Sequence, residues 1–401
     1  MDMYNFFKEK ALLLAEQIIN WRRHLHTIPE QSFFEKETSL YIEKVLKELG
    51  VDTEMNVAGT GVIGFIPADD INMPTVAVRA DMDALPIVEK TGLPYASKNE
   101  GFMHACGHDA HMAMALGIAG IWKEVKNPPG NLLLIFQPAE ERPPGGAIKI
   151  IESGILDKYK PRAIFAFHVN PLLPCGQVGV KKGVLTAAAD RFVLKVIGKG
   201  GHGASPHCCI DPIVIASNIV QGWQQIVSRV SDPLGPLVIT AGSIHGGSEF
   251  NIIPEEVEIK GTVRTLSREM RSKIPSLLEE VTRGYTAPFG ASYKFEYFKG
   301  YPPLINDPDM TGILAKAAAD IFGAKNVIWL DKPTMGGEDM AYFLETIPGC
   351  YAYLGVGPEK GEPVPWHSSF FTLDEKALHL GTAALAWSCY LKLEKGSSKP
   401  G

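Results

Sequence analysis

The sequence predicts an α/β catalytic domain interrupted by a small ferredoxin-like α+β domain. Two observations predict it. Continuous apolar runs at Asn131–Gln137 and 162–168 suit strands buried on both faces, and they alternate with segments of helical apolar spacing. Near residue 184 the order changes to β-α-β-β-α-β, a self-contained sandwich of about a hundred residues. A chain of 401 residues is also too long for one ordinary core. The economical division is a discontinuous larger domain, 1–183 plus 298–401, with an insertion at 184–297.

Taken in order, 6–26 and 35–49 carry helical apolar spacing, the second closed by Gly50 as a C-cap. Strands follow at Gly61–Ile66 and 75–80, then an Ala/Met-rich amphipathic helix over 110–122. Within the insertion, 190–198 reads as a strand, 198–203 as a glycine-rich turn and 211–230 as a helix. Strands at 236–245 and 255–265, a helix at 267–283 and a strand at 291–298 complete it. Helices at 307–322, 338–346 and 373–393 close the chain around a strand at 350–355, and the tail 394–401 reads as frayed.

Hydrophobic content of 45% and charged content of 21% are those of a soluble globular protein. A net charge of −6 leaves no basic footprint, which argues against a nucleic-acid partner. Charge breaks the first ten residues too early for a signal segment, and no run approaches the ~20 apolar residues of a membrane span. The six cysteines (106, 175, 208, 209, 350 and 389) show no paired framework, and adjacent Cys208 and Cys209 have poor geometry for a mutual bridge. A reducing, cytoplasmic setting follows.

The densest chemistry lies in Met103-His-Ala-Cys-Gly-His-Asp-Ala-His111, just before the helix over 110–122. A helix N-terminus favours an ionised thiol, and thiolate with imidazole suits zinc, with manganese, cobalt or nickel also accepted. An isolated Cys-x-His is more often a buried cysteine beside surface histidines. Five further features sit at strand ends, where open α/β sheets place ligands. These are Asp81 and Asp83 in Arg79–Pro86, Glu140-Glu141 after Asn131–Gln137, His168, Glu338-Asp339 and His367. Singly each has a bland reading: an Asx turn, an acidic turn, a core histidine, a helix cap and a loop histidine. In extended backbone Glu140 and Glu141 face opposite ways, so one can ligate while its neighbour acts as a base.

Jointly, Cys106, His108, Glu141, His168 and His367 form a mixed S/N/O set sufficient for two divalent ions, with Cys106 able to bridge. Such a pair can ionise a water and polarise a carbonyl, while Glu140 takes the proton and returns it to a leaving nitrogen. That constellation hydrolyses an amide.

These motifs, in their order, resemble the M20 metallopeptidase family, closest to its N-acyl-amino-acid amidohydrolases: aminoacylases, hippurate hydrolases, auxin-conjugate hydrolases and some carboxypeptidases. The match runs from Trp21-Arg-Arg-His-Leu-His26 to His367–Phe371, nearly the whole chain. It implies a zinc-peptidase-like catalytic domain with an inserted lid/dimerisation domain, and a homodimer or homotetramer. It also implies one or two divalent metal ions per subunit on Cys106, His108, Glu141, His168 and His367, with Glu140 as general acid/base. Asp83 matches an aspartate that supports a metal-bound histidine. Asp81 replaces the wider family's first ligand histidine, and Cys106 its bridging aspartate. In the lid, His202 resembles a histidine that stabilises the oxyanion in a neighbouring subunit, and Asn251 and Arg264 resemble holders of a substrate carboxylate. His24, His26, His104, His111, His207, His245 and His379 are left as structural or as supports of the ligands, and His111, one helical turn past Gly107, could orient a ligand.

The implied substrate is an N-acyl-L-amino acid. The alternatives are a carboxypeptidase on short or N-blocked peptides, a non-catalytic dimeric scaffold, and a thiol redox protein using Cys106. The scaffold requires loss of a ligand or of Glu140, and all are present; the redox reading requires a resolving cysteine near Cys106 in the chain, and none is there.

Overall fold

The computed structural model describes residues 2–397, which divide into two compact units. The first runs through Gly183 and resumes over Ile305–Lys332 and from Asp339 onward. The second comprises Val184–Leu304 and Pro333–Glu338.

The first unit is built on an eight-stranded mixed sheet, in the order Asp52–Val57, Gly61–Ile66, Asn131–Gln137, Thr75–Asp81, Pro161–Pro174, Gly349–Gly357, Val178–Val180, Val327–Trp329. Its four middle strands, from Asn131–Gln137 to Gly349–Gly357, run parallel. Three of them are buried at every residue, because helices cover both faces. Asp52–Val57 is polar, and Val178–Val180 and the edge strand Val327–Trp329 are only three residues long, which is why their sequence gives no strand signal. The strand expected to close at His168 continues six residues further, so His168 lies within it.

The helix after the Cys106 motif spans His108–Trp122, starting two residues earlier than its apolar spacing indicates. It is buried all round except at Gly120, so it is a central helix and not an amphipathic one. Its small residues allow close approach: a Cβ on Gly117 would lie 2.9 Å from both Ile18 and Thr382. The helix expected over 6–26 breaks at Leu14 (ψ 0°) into Met3–Leu13 and Ala15–Thr27, where the Leu14 side chain packs onto Gly120. The last helix, Ala377–Ser397, passes the point where fraying was expected, and 398–401 lie outside the described residues.

The second unit is an antiparallel four-stranded sheet in the order Leu237–His245, Glu256–Thr265, Ala188–Ile197, Ser292–Tyr301. With helices Pro212–Gln225 and Arg268–Thr286 it makes the expected ferredoxin-like arrangement. One sheet face closes its own core around Phe192, Trp223 and Leu278. Asp211 caps the first helix, which ends in a π turn over Ile226–Val230 instead of remaining regular to 230.

Candidate active site

Gly107 caps the central helix at φ 87°, and a Cβ there would strike Val169 at 2.4 Å. Glycine is therefore required for Cys106 and His108 to leave the turn in their observed directions. His108 Nδ1 donates to the Asp83 carbonyl at 2.8 Å, and His168 Nδ1 donates to the Val169 carbonyl at 2.8 Å. A carbonyl only accepts, so Nδ1 carries a proton in each ring and Nε2 is the nitrogen left to face a ligand. His168 Nε2 lies 3.4 Å from Cys106 Sγ.

Glu140 and Glu141 do not sit in extended backbone. They follow Ala139, at φ 55°, in a bend beyond the strand Asn131–Gln137, and both carboxylates reach towards His108 with donor atoms within 4.8 Å of one another. The alternation argument for opposed faces therefore fails, and the bend brings both glutamates to one side. Asp83 fixes that bend: Glu140 N donates to Oδ1 at 2.9 Å and Glu141 N to Oδ2 at 3.0 Å. Glu141 Oε1 is 3.3 Å from His367 Nε2 and 4.0 Å from His108 Nε2. His367 also has left-handed backbone, φ 62°, and is tied by its N–H to the Ala105 carbonyl at 2.9 Å.

Two donor triads result, Cys106/His108/His168 and Cys106/Glu141/His367, with the sulfur common to both. Among the described residues, His108 Nε2 and Glu141 Oε1 are buried without a hydrogen-bond partner, the condition a bound cation relieves. The field agrees. Burial alone would depress His108, yet Asp81, Asp83 and Glu141 push it up to about 10. Burial, aided by nearby His111, holds His168 well below the usual histidine range. Burial and then Glu141, Glu140 and Asp81 raise the Cys106 thiol, so without a cation it is held against the ionisation expected at a helix terminus. The donor set and its surplus negative charge fit one or two divalent ions.

Asp81 lies beside the triads, its Oδ2 3.6 Å from His108 Nε2, but other groups bond both of its oxygens. Arg79 donates to its Oδ2 at 2.7 Å and His111 Nδ1 bonds its Oδ1 at 2.5 Å. Despite full burial, these partners and His108 hold its carboxyl well below the usual range. Arg79 also pairs with Asp339 at 2.8 Å, and Gln137 Nε2 bonds the same carboxylate. Asp339 makes no side-chain cap to the helix Met340–Thr346, so the capping role read from sequence is replaced by a buried ion pair. Sequence reading also passed over Glu35, whose Oε1 accepts Ala139 N at 2.9 Å, since no spacing pattern marks a carboxylate that serves a loop a hundred residues away.

In the second unit, exposed His202 pairs with Ile252 across a two-residue ladder, and its Nδ1 accepts the Ala204 N–H at 3.0 Å. Asn251 lies beside it, its carbonyl accepting Gly203 N at 2.8 Å. Arg264 lies apart on the strand Glu256–Thr265, opposite Ala189 and Val238.

Residues 77–387 match the model of peptidase family M20/M25/M40. The chain is 44% identical to an N-acetyl-L-cysteine deacetylase of Bacillus subtilis (strain 168) over 91% of this chain and 85% of that protein. It is 39% identical to thermostable carboxypeptidase 1 of Saccharolobus solfataricus over 96% of this chain and 98% of that protein. Among solved structures, a Bacillus subtilis dinuclear metal binding peptidase from the M20 family superposes with a TM-score of 0.81 at 36% identity, covering 95% of this chain and 99% of that one. The two triads about Cys106 and the glutamate pair therefore sit in a hydrolase, and the chain belongs to peptidase family M20/M25/M40.

Proposed function

We propose that the chain hydrolyses the amide bond of N-acyl-L-amino acids, releasing a carboxylic acid and a free amino acid. The observation that carries this is the sharing of Cys106 between two donor triads with Glu140 alongside. Cys106, His108, Glu141, His168 and His367 would hold one or two divalent ions, with zinc favoured by the sulfur. Bound there, the ions supply Lewis acidity towards a carbonyl oxygen and lower the pKa of a water. Glu140, only 7% exposed, accepts the proton of the attacking water and returns it to the leaving nitrogen. Asp83 orients His108 and holds the backbone of both glutamates. His202 would donate to the oxyanion developing in a neighbouring subunit, and Asn251 and Arg264 would hold the substrate carboxylate.

The second unit would serve as lid and dimerisation domain, giving a homodimer or homotetramer. Support comes from its edge strand Leu237–His245 and from exposed Ile213, Val214, Ile244 and Phe250, the last 99% exposed. No helix among the described residues is long and apolar enough to cross a membrane, and a cytoplasmic location is our reading from the cysteines, all six of which are free.

Initial rates on N-acetyl- and N-benzoyl-amino acids beside N-blocked dipeptides test the proposal. Faster turnover of the acyl amino acids supports it, and faster turnover of the dipeptides favours the carboxypeptidase reading, which the relative from Saccharolobus keeps in view. Unaltered turnover by Glu140→Ala, or by protein stripped of metal, would sink both.

A further inference from the structure

We infer that Glu35 is a positioning residue for Glu140, acting through the length and acceptor geometry of its side chain and not through its charge. The inference rests on the reading of Glu140 as acid/base. Glu35 has no exposed surface. Its Oε1 accepts two backbone N–H groups, Phe33 at 2.9 Å and Ala139 at 2.9 Å, and its Oε2 accepts the Thr60 hydroxyl. Phe33 and Ala139 are both in left-handed backbone, at φ 68° and 55°. Residues other than glycine persist there when their surroundings over-determine them. One carboxylate oxygen thus holds two strained peptides, and the second of them immediately precedes Glu140.

The next two N–H groups along the chain belong to Asp83, which takes Glu140 on Oδ1 and Glu141 on Oδ2. Three consecutive N–H groups, 139 to 141, therefore each end on a buried carboxylate. Asp83 is itself bonded by the Ser32 hydroxyl at 2.6 Å, so the segment Ser32–Glu35 supports the bend twice. The ladder pairs of the strand end at Gln137, leaving these bonds to set the direction in which Glu140 leaves the chain. Rotation of the peptide at Ala139 would swing the Glu140 carboxylate away from His108.

Among the described residues no cation pairs with Glu35, so the group is not there to balance a charge. A glutamine has the same reach: its Oε1 can accept both N–H groups, and its amino group can donate to the Thr60 hydroxyl. An aspartate keeps the charge and withdraws the acceptor by one methylene. The two substitutions separate geometry from charge.

The test is steady-state kinetics of metal-loaded Glu35→Gln and Glu35→Asp on the N-acetyl-amino acid hydrolysed fastest, with metal content and circular dichroism of each. Positioning requires Glu35→Gln to keep kcat within about threefold. Glu35→Asp should lose about 10- to 100-fold in kcat, with KM within about threefold and full metal content, as expected for a misplaced catalytic group. An aspartate variant faster than the glutamine variant would overturn the inference in favour of charge. Wild-type kcat in both variants overturns it, as do losses in both that track the folded or metal-loaded fraction. Glu140→Gln measured alongside separates the two readings. Activity retained there overturns the acid/base role and this inference with it, whereas an inactive Glu140→Gln leaves the Glu35 comparison to decide positioning alone.

Discussion

His111 Nε2 accepts the backbone N–H of Val169 at 2.9 Å, so that nitrogen carries no proton and the ring's Nδ1–H is directed at Asp81. One imidazole thereby joins the strand bearing His168 to the Asp81 carboxylate. Val169 in turn gives its carbonyl to His168 Nδ1. His111→Ala would orphan a buried N–H and release both groups. Supporting bonds of this kind are worth about 10- to 100-fold in metal affinity. Competition against a chelator of known strength should show that weakening, and an unchanged affinity would remove His111 from the site's support.

Cys106→Asp is expected to keep metal and change its kind. The sulfur shared by two triads makes the site soft, and a carboxylate in its place makes it hard. In competition experiments the variant should move from zinc towards manganese, with the wild-type protein retaining zinc. A variant with the wild-type preference would show that the sulfur does not contact the ions.

Gly146 lies directly behind the glutamate bend. A Cβ there would sit 1.9 Å from the Pro138 carbonyl oxygen, and Gly146 N bonds the Ala139 carbonyl at 3.1 Å. Neither contact can yield without moving the backbone that carries Glu140. Gly146→Ala should cost about 1–3 kcal/mol in denaturant unfolding, the range for overpacked sites. It should also lower kcat by about tenfold or more while KM changes less. Wild-type stability and kcat together would contradict this placement of the loop.

The parallel strands and the separate sandwich were legible because each carries a period the chain displays directly, continuous burial in one and alternation in the other. Cys106, His108, Glu141, His168 and His367 were legible because ligand chemistry marks them, and the structure brings them into two triads. What sequence could not give is the support beneath them. Asp339 looked like a cap because it precedes a helix, but a buried Arg79 from a distant strand outbids a local N-terminus. The glutamates looked like strand residues because nothing local announces the positive φ of Ala139. That conformation is set by Glu35, more than a hundred residues earlier, and such a bond leaves no spacing to read.

The same carboxyl predicts the pH dependence of stability. Burial, joined by nearby Asp83, pushes Glu35 from its usual 4.5 up to about 7, against the bond from Thr60 that favours ionisation. A folded-state value above the unfolded one means that the native chain binds the proton more tightly. The contribution to stability is therefore fully present below pH 4.5 and is lost as pH rises through about 7. At 1.36 kcal/mol per unit the loss amounts to about 3 kcal/mol. Glu35→Gln carries no titrating group, so it should match wild type near pH 4.5 and exceed it by up to that amount above pH 7. Denaturant unfolding of both metal-loaded proteins across this range measures the difference directly. A gap that stays constant with pH, or opens towards acid, would show that Glu35 remains ionised in the folded protein throughout.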